Sequence, residues 1–339
     1  MRGFMNPLRF AVLALLIGVL GCAPRSGVWV ENGLLQTAEG AHPIKGVCYH
    51  PVAIGSDARS FETLASDLEL MRELGANTLR VYEPIADEAV LDAISAAGLR
   101  VIIGFGYNQG GAYDLLSGTY LDYVKRFKSH PAILCWELGN EYNYHPEWFG
   151  GSLDTWYATL RETSAAIQTA DPDHPVATAH GEVPEAELIA SLPDIDLWGL
   201  NVYRWDESHS AIADFAERSD KPVYFSELGA DSYMTEAKLG YEAGDNERAQ
   251  ADATEKMLGN ILTDRPRAAG VAVFSFTDGW WKAGQPDQQD VGGWAPGSSG
   301  VPYDGTANEE YWGLVNVHRE PKAAFDVVRT FYHAWNPAE

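Results

Sequence analysis

Basic residues are scarce in this 339-residue chain: 24 lysines and arginines stand against 48 aspartates and glutamates, for a net charge of −24. A surface of that sign repels polyanions, which argues against nucleic acid as a partner and against a uronate-rich polysaccharide unless the cleft is locally basic. No acidic run is long enough to form a tail, so the charge is spread over the surface. Cysteine is nearly absent, three residues in all, and no Cys or His spacing suits a metal. No Gly-x-Gly-x-x-Gly turn follows the first apolar strand, which removes the main mark of an open dinucleotide-binding sheet. There is no internal repeat, low-complexity tract or linker after residue 40, and no organic cofactor is implied. Long apolar runs are missing too, apart from Phe10 to Leu20, and that one is shorter than the roughly 18 residues of a spanning helix.

What is there begins with that run. Arg2 and Arg9 precede it and Val19-Leu20-Gly21-Cys22 follows, the layout of a signal peptide over residues 1–21. Cys22 sits where a bacterial lipoprotein signal places the lipidated first residue of the mature protein; an ordinary secretory signal cleaved nearby is the alternative. Ala23 does not resemble the aspartate of an inner-membrane retention signal. The expected location is therefore the cell envelope, lipid-anchored, with the outer membrane preferred.

The rest reads as one domain: 46% hydrophobic residues and a mean hydropathy of −0.21 allow one large core. A tether and a two-strand hairpin turning at Asn32-Gly33 occupy residues 22–40. From residue 41 to 339, short apolar runs alternate with helix-period segments. The strands are expected at Ile44 to Tyr49, Thr78 to Tyr82, Val101 to Phe105, Ile133 to Leu138, Val176 to Ala179, Leu197 to Val202, Val223 to Ser226 and Val271 to Phe276. Helices are expected at Phe61 to Leu74, Glu88 to Ala97, Tyr120 to Ser129, Leu153 to Ala170, Glu185 to Ser191, Ser210 to Arg218, Glu247 to Thr263 and Lys322 to Ala334. Eight strands alternating with eight helices predict an α/β fold, a single (β/α)8 barrel, with an open doubly wound sheet as runner-up. Cys48 and Cys135 fall on the first and fourth strands, which do not adjoin, and read as buried free thiols.

Two glutamates close two of these strands: Glu141 after Trp136-Glu137-Leu138-Gly139-Asn140 and Glu227 after Val223-Tyr224-Phe225-Ser226. In a closed parallel barrel both point into one mouth, and two facing carboxyls are what cleavage of a glycosidic bond with retention requires. His50 and His180 end strands one and five, where a barrel aims them at the same mouth. After strand eight, the stretch Thr277 to Pro321 is far longer than an ordinary βα loop and holds Trp280, Trp281, Trp294, Tyr303, Tyr311 and Trp312; long ordered loops tend to be functional. One of the adjacent pair Trp280 and Trp281 is expected to stack on a sugar ring, and Asp278 and Lys282 to bind sugar hydroxyls. Asp287, Asp290 and Asp304 share this loop, but with no Asp-x-Asp-x-Asp-Gly pattern a calcium site is only weakly signalled.

From Ile44 to Trp335 the chain resembles the retaining glycoside hydrolases of clan A, barrels whose acid/base and nucleophile glutamates end strands four and seven. Trp136 to Glu141 is similar to the clan's strand-four Asn-Glu motif, and Tyr224-Phe225-Ser226-Glu227-Leu228-Gly229 to its nucleophile motif. The resemblance implies Glu141 as acid/base, Asn140 as hydrogen-bond partner of the sugar 2-hydroxyl and Glu227 as nucleophile. Arg80 ends strand two, where a cation could hold Glu227 ionised, and Tyr203 resembles the strand-six tyrosine that donates to the nucleophile. Asn77 to Tyr82 and Val223 to Glu227 look most like β-1,3-glucan-acting families, with the barrel of the β-galactosidase and β-glucuronidase group next. The expectation is a retaining hydrolase of a β-glucan or β-glucoside, acting on poly- or oligosaccharide with no obligatory protein partner. The alternatives are a β-glucanosyltransferase on the same barrel and an inactive lipid-tethered glycan-binding protein.

Overall fold

The computed structural model describes residues 27–335 apart from 109–111, 205–206, 264–267, 292–293 and 297–303. Arg2, Arg9, the apolar run, Cys22 and Tyr303 lie outside the described residues.

Eight parallel strands close a barrel: β1 Ile44–Cys48, β2 Thr78–Val81, β3 Arg100–Phe105, β4 Ile133–Asn140, β5 Val176–Gly181, β6 Leu197–Asn201, β7 Val223–Leu228 and β8 Ala268–Val273. Each pairs with its chain neighbours, and β8 returns to β1, so the sheet has no open edge. Between them run α1 Leu64–Leu74, α2 Glu88–Ala96, α3 Tyr120–Phe127, α4 Asp154–Ala170, α5 Ala186–Ser191, α6 Ser210–Ala216 and α7 Glu247–Thr263, and α8 Ala323–Ala334 follows the long loop. The expected (β/α)8 barrel is therefore the fold. Leu64, Leu68, Met71 and Leu74 form the buried face of α1, and Gly75, in the left-handed region at φ 81°, ends it.

Alternation along the strands makes two cores. Val47, Leu79, Val81, Val101, Ile103, Leu138 and Phe225 face outward against the helices. Ile44, Ile102, Leu134, Ala177, Leu197 and Tyr224 fill the lower barrel with Val28 and Leu35 of the N-terminal segment. That segment is not the expected two-strand hairpin but a three-stranded antiparallel sheet, Trp29–Glu31, Leu34–Thr37 and Gly40–His42. Asn32 and Gly33 take the positive φ values of a tight hairpin turn. The third strand, Gly-Ala-His, carries no apolar alternation that would announce it.

Other boundaries moved as well. Strand β8 starts at Ala268 because Ala-Ala-Gly, small and without branching, still fits the crowded barrel wall. It ends at Val273 because Ser275 pairs instead with the backbone of Trp312 and Leu314 from the returning loop. Helix α1 starts at Leu64, since Phe61 to Thr63 form a turn in which Thr63 bonds Asp67 and Arg319. Cys48 and Cys135 are buried and free. No helix among the described residues is long and apolar enough to cross a membrane.

Candidate active site

A pocket of about 440 Å³ opens at the C-terminal ends of the barrel strands, and both Glu141 and Glu227 line it. How they come to face it is a matter of backbone register. In β4, Glu137 points into the barrel toward Arg80 while Leu138 packs outward. Simple alternation would then turn Asn140 outward. The pairing with β5 instead slips by one residue between Leu138 and Asn140, and Gly139 absorbs the extra residue at φ 69°. A Cβ there would lie 2.5 Å from the ring of Trp156, so this bulge needs glycine twice over. Glu141 follows at φ 55°, a strained conformation for a residue with a side chain, tied down by its N–H to the Ala179 carbonyl at 3.0 Å. A similar slip between Phe225 and Glu227 turns Glu227 into the same mouth.

Arg80 organises what lies between. Fully buried, it donates to Glu137 at 2.8 Å, Glu227 at 2.9 Å and the Asn140 side-chain oxygen at 2.6 Å. Arg80 and Asn201 both donate to that oxygen, and Asn140 lines the pocket. Glu227 receives two more donors, Tyr82 on the oxygen it shares with Arg80 and Tyr203 on the other, each at 2.8 Å. Burial pushes both phenols well above their ordinary range, so they stay protonated and donate. Three donors around one carboxylate hold its orientation.

Glu141 stands in the opposite setting. Burial, and then the charge of Glu227, push its carboxyl up to about 7, against the weaker pull of an Asn201 hydrogen bond and of Arg80. Two carboxyls thus share one cleft in unlike settings, Glu227 held among three donors and Glu141 with its pKa raised to about 7.

Below them, Glu137 is buried with Arg80 and accepts from Tyr224, and burial raises its pKa. Removing it would leave the buried Arg80 short of a partner. Glu137→Ala is expected to cost about 3–5 kcal/mol of stability, read as a lower urea midpoint at unchanged slope.

The other residues singled out in the sequence divide. His50 and Trp281 line the pocket side by side, ring centroids 5.6 Å apart, and burial lowers the His50 pKa to about 4, leaving a neutral imidazole. Lys282 lines it as well, 3.3 Å from Glu309. Trp280 is buried and does not reach the pocket, because its side chain packs beside Arg319. Nor does Asp278: its carboxylate is buried on Lys322 at 2.6 Å and on the Gly313 N–H, so it pins the long loop rather than meeting sugar. His180 falls outside too, in a neighbouring groove with Asn143 and Arg161, its ring held to the Glu182 carbonyl. Asp304 bonds Thr235 and the Thr306 N–H. Among the described residues no cluster of three or more His, Cys, Asp or Glu could hold a metal.

Several site residues had no assigned part in the sequence reading. Tyr82 lies two residues past Arg80, hence on the same face of β2, a signal that alternation alone carries. Asn201, which receives a hydrogen bond from Ser226 at 2.6 Å, ends β6 as the glutamates end their strands. Glu309 and Trp312 come from the far end of the long loop, and no local pattern places them.

No family model matches the sequence. A mannan endo-1,4-β-mannosidase F from Aspergillus clavatus is 32% identical over 193 residues, 41% of this chain and 43% of that protein. The β-glucuronidase of Felis catus is 30% identical over 296 residues, 77% of this chain and 42% of that protein. The chain thus spans about half the length of the curated relatives it matches. Among solved structures, a β-galacturonidase from Eisenbergiella tayi bound to galacturonate superposes with a TM-score of 0.67 at 19% identity, over 91% of this chain and 55% of that one. A β-D-glucuronidase from Dictyoglomus thermophilum gives 0.66 at 17%, over 91% and 54%. The resemblance to the glycoside hydrolases of clan A therefore holds: the sequence relatives are a mannosidase and a glucuronidase, and the fold is the barrel shared with the two solved structures.

Proposed function

We propose that this barrel is a retaining β-glycosidase acting by double displacement on a neutral β-linked glycan, a β-glucan or β-glucoside. The observation that carries the reading is the unequal treatment of the two glutamates: Glu227 held by Arg80, Tyr82 and Tyr203, and Glu141 beside it with its pKa raised to about 7. Glu227 attacks the anomeric carbon while Glu141 gives its proton to the departing oxygen. The glycosyl ester neutralises Glu227, the repulsion that raised Glu141 disappears, and Glu141 takes a proton from incoming water. If a sugar hydroxyl arrives in place of water, the same chemistry transfers the glycosyl group.

Charge in the pocket supports a neutral sugar over a uronate. The lining holds Glu141, Glu227 and Glu309 against one lysine, Lys282, already paired with Glu309; the Arg80 guanidinium is spent on Glu137, Glu227 and Asn140. Among the described residues a uronate carboxylate would enter beside three acids, with Lys282 the one cation lining the pocket. A β-mannan is the second reading, favoured by the match to the mannan endo-1,4-β-mannosidase.

Assay of aryl β-glucoside, β-mannoside and β-glucuronide, with β-1,3-glucan, β-1,4-glucan and β-mannan as polymers, separates these readings. Cleavage of a neutral substrate with a β-configured first product in the NMR spectrum is expected, and kcat/KM for the glucuronide about 100-fold lower, some 2.7 kcal/mol. Preference for the glucuronide would overturn the neutral-sugar reading, and an α-configured first product would overturn retention.

A further inference from the structure

A second, smaller cavity of about 190 Å³ lies on the other side of Glu141, reached past β3 and β4. Glu141, Asn140 and Tyr82 line both cavities; Glu227, Trp281 and Lys282 line only the larger one. The wall of the small cavity ends in Trp148, whose surface is 55% exposed, an uncommon display for an indole. Its plane is fixed from beneath. The His145 ring stacks on it, centroids 3.9 Å apart and 7° from parallel, and His145 is itself held by Glu147 at 2.9 Å; Tyr142 meets the indole edge-on at 5.4 Å.

Such bracing has no evident purpose for a surface residue in a short turn, but it suits a platform for a flat apolar face. Sugar rings present one, a row of C–H groups, and the amphipathic indole is the side chain best fitted to it. Position then decides which sugar. A glycosyl unit bound to Glu227 occupies the large pocket, and the oxygen protonated by Glu141 carries the leaving group to the side of Glu141 away from Glu227. That side is the small cavity.

We propose that Trp148, braced by His145, is the platform for the leaving-group sugar, so that the cavity it shares with Glu141 is the aglycone subsite and also the place where an acceptor sugar would enter during transfer. The inference rests on the retaining reading above. It places the aromatic platform on the turn after β4, not on the tryptophan-rich loop after β8, whose Trp281 and Trp312 serve the glycone pocket.

The test compares two substrates with one glycone: the neutral trisaccharide cleaved fastest in a panel of β-1,3- and β-1,4-linked gluco- and manno-oligosaccharides, and the corresponding β-glycosyl fluoride, whose leaving group has no ring to stack. Trp148→Ala is expected to lower kcat/KM for the trisaccharide about tenfold, with Trp148→Phe recovering part of it and His145→Ala losing less, while the fluoride changes by less than about twofold. Equal losses on both substrates, or no loss on either, would overturn the subsite. Failure of wild-type protein to take label at Glu227 from a 2-fluoroglycoside refutes the retaining mechanism itself, and that result is independent of any Trp148 variant.

Discussion

Glu227→Gln is expected to lower kcat/KM by about 10⁴-fold or more on every substrate, because an amide of the same shape cannot form the glycosyl ester. The environment sharpens the expectation. Arg80, Tyr82 and Tyr203 all donate to Glu227, and an amide can accept on only one of its two ends. If its oxygen faces Arg80 and Tyr82, its NH2 meets the Tyr203 hydroxyl, which must then turn and accept. The site survives in outline and loses both nucleophile and charge. In wild-type protein a 2-fluoroglycoside should label the peptide holding Glu227, seen by mass spectrometry as a stable adduct absent from the variant. Activity persisting in Glu227→Gln would remove Glu227 from the mechanism.

The second large effect concerns Glu141 and depends on pH and leaving group together. If its carboxyl, raised to about 7, is the proton donor, kcat/KM for a poor leaving group should fall as pH rises through about 7. Glu141→Ala should lower turnover of unactivated glycosides by about 10²–10⁴-fold and erase that alkaline limb. With a dinitrophenyl leaving group, which needs no proton, the first step should run near the wild-type rate, the glycosyl-enzyme should accumulate for want of a base, and azide should restore turnover by attacking it. An alkaline limb that survives in the variant would assign it to another group. Stability follows the same proton with its own sign. The folded protein holds the Glu141 proton more tightly than the unfolded chain, whose value is near 4.5. The contribution is therefore fully present below about pH 4.5 and is lost as pH rises through about 7.

The parts of this molecule that repeat were legible in its sequence, and those that depend on a single backbone detail were not. Eight apolar runs separated by amphipathic segments admit few arrangements other than a closed barrel, and strand ends then locate Glu141, Glu227 and Arg80 without further information. Reading which side chains face the mouth requires the register slips at Gly139 and before Glu227, and periodicity of two gives the wrong face for Asn140. Trp280 and Trp281 show the same limit: adjacent indoles must diverge, but only the backbone decides that Trp281 enters the pocket and Trp280 the core. Asp278 looked like a ligand for sugar because its partner, Lys322, lies 44 residues away at the start of α8. Trp148 has no mark in the sequence, since neither exposure nor the stacked His145 can be seen in one dimension.

The small sheet under the barrel has a directional consequence. It packs Val28 against the lower core, and Val28 donates to the Asp173 carbonyl ahead of β5, so the chain leaves the barrel at the pole opposite the two glutamates. Were Cys22 lipidated, as its place after the apolar run suggests, the five residues from there to Gly27 would reach at most about 18 Å. With so short a tether the pole opposite the two glutamates would be the one nearest the bilayer, and the mouth of the barrel would be the part farthest from it.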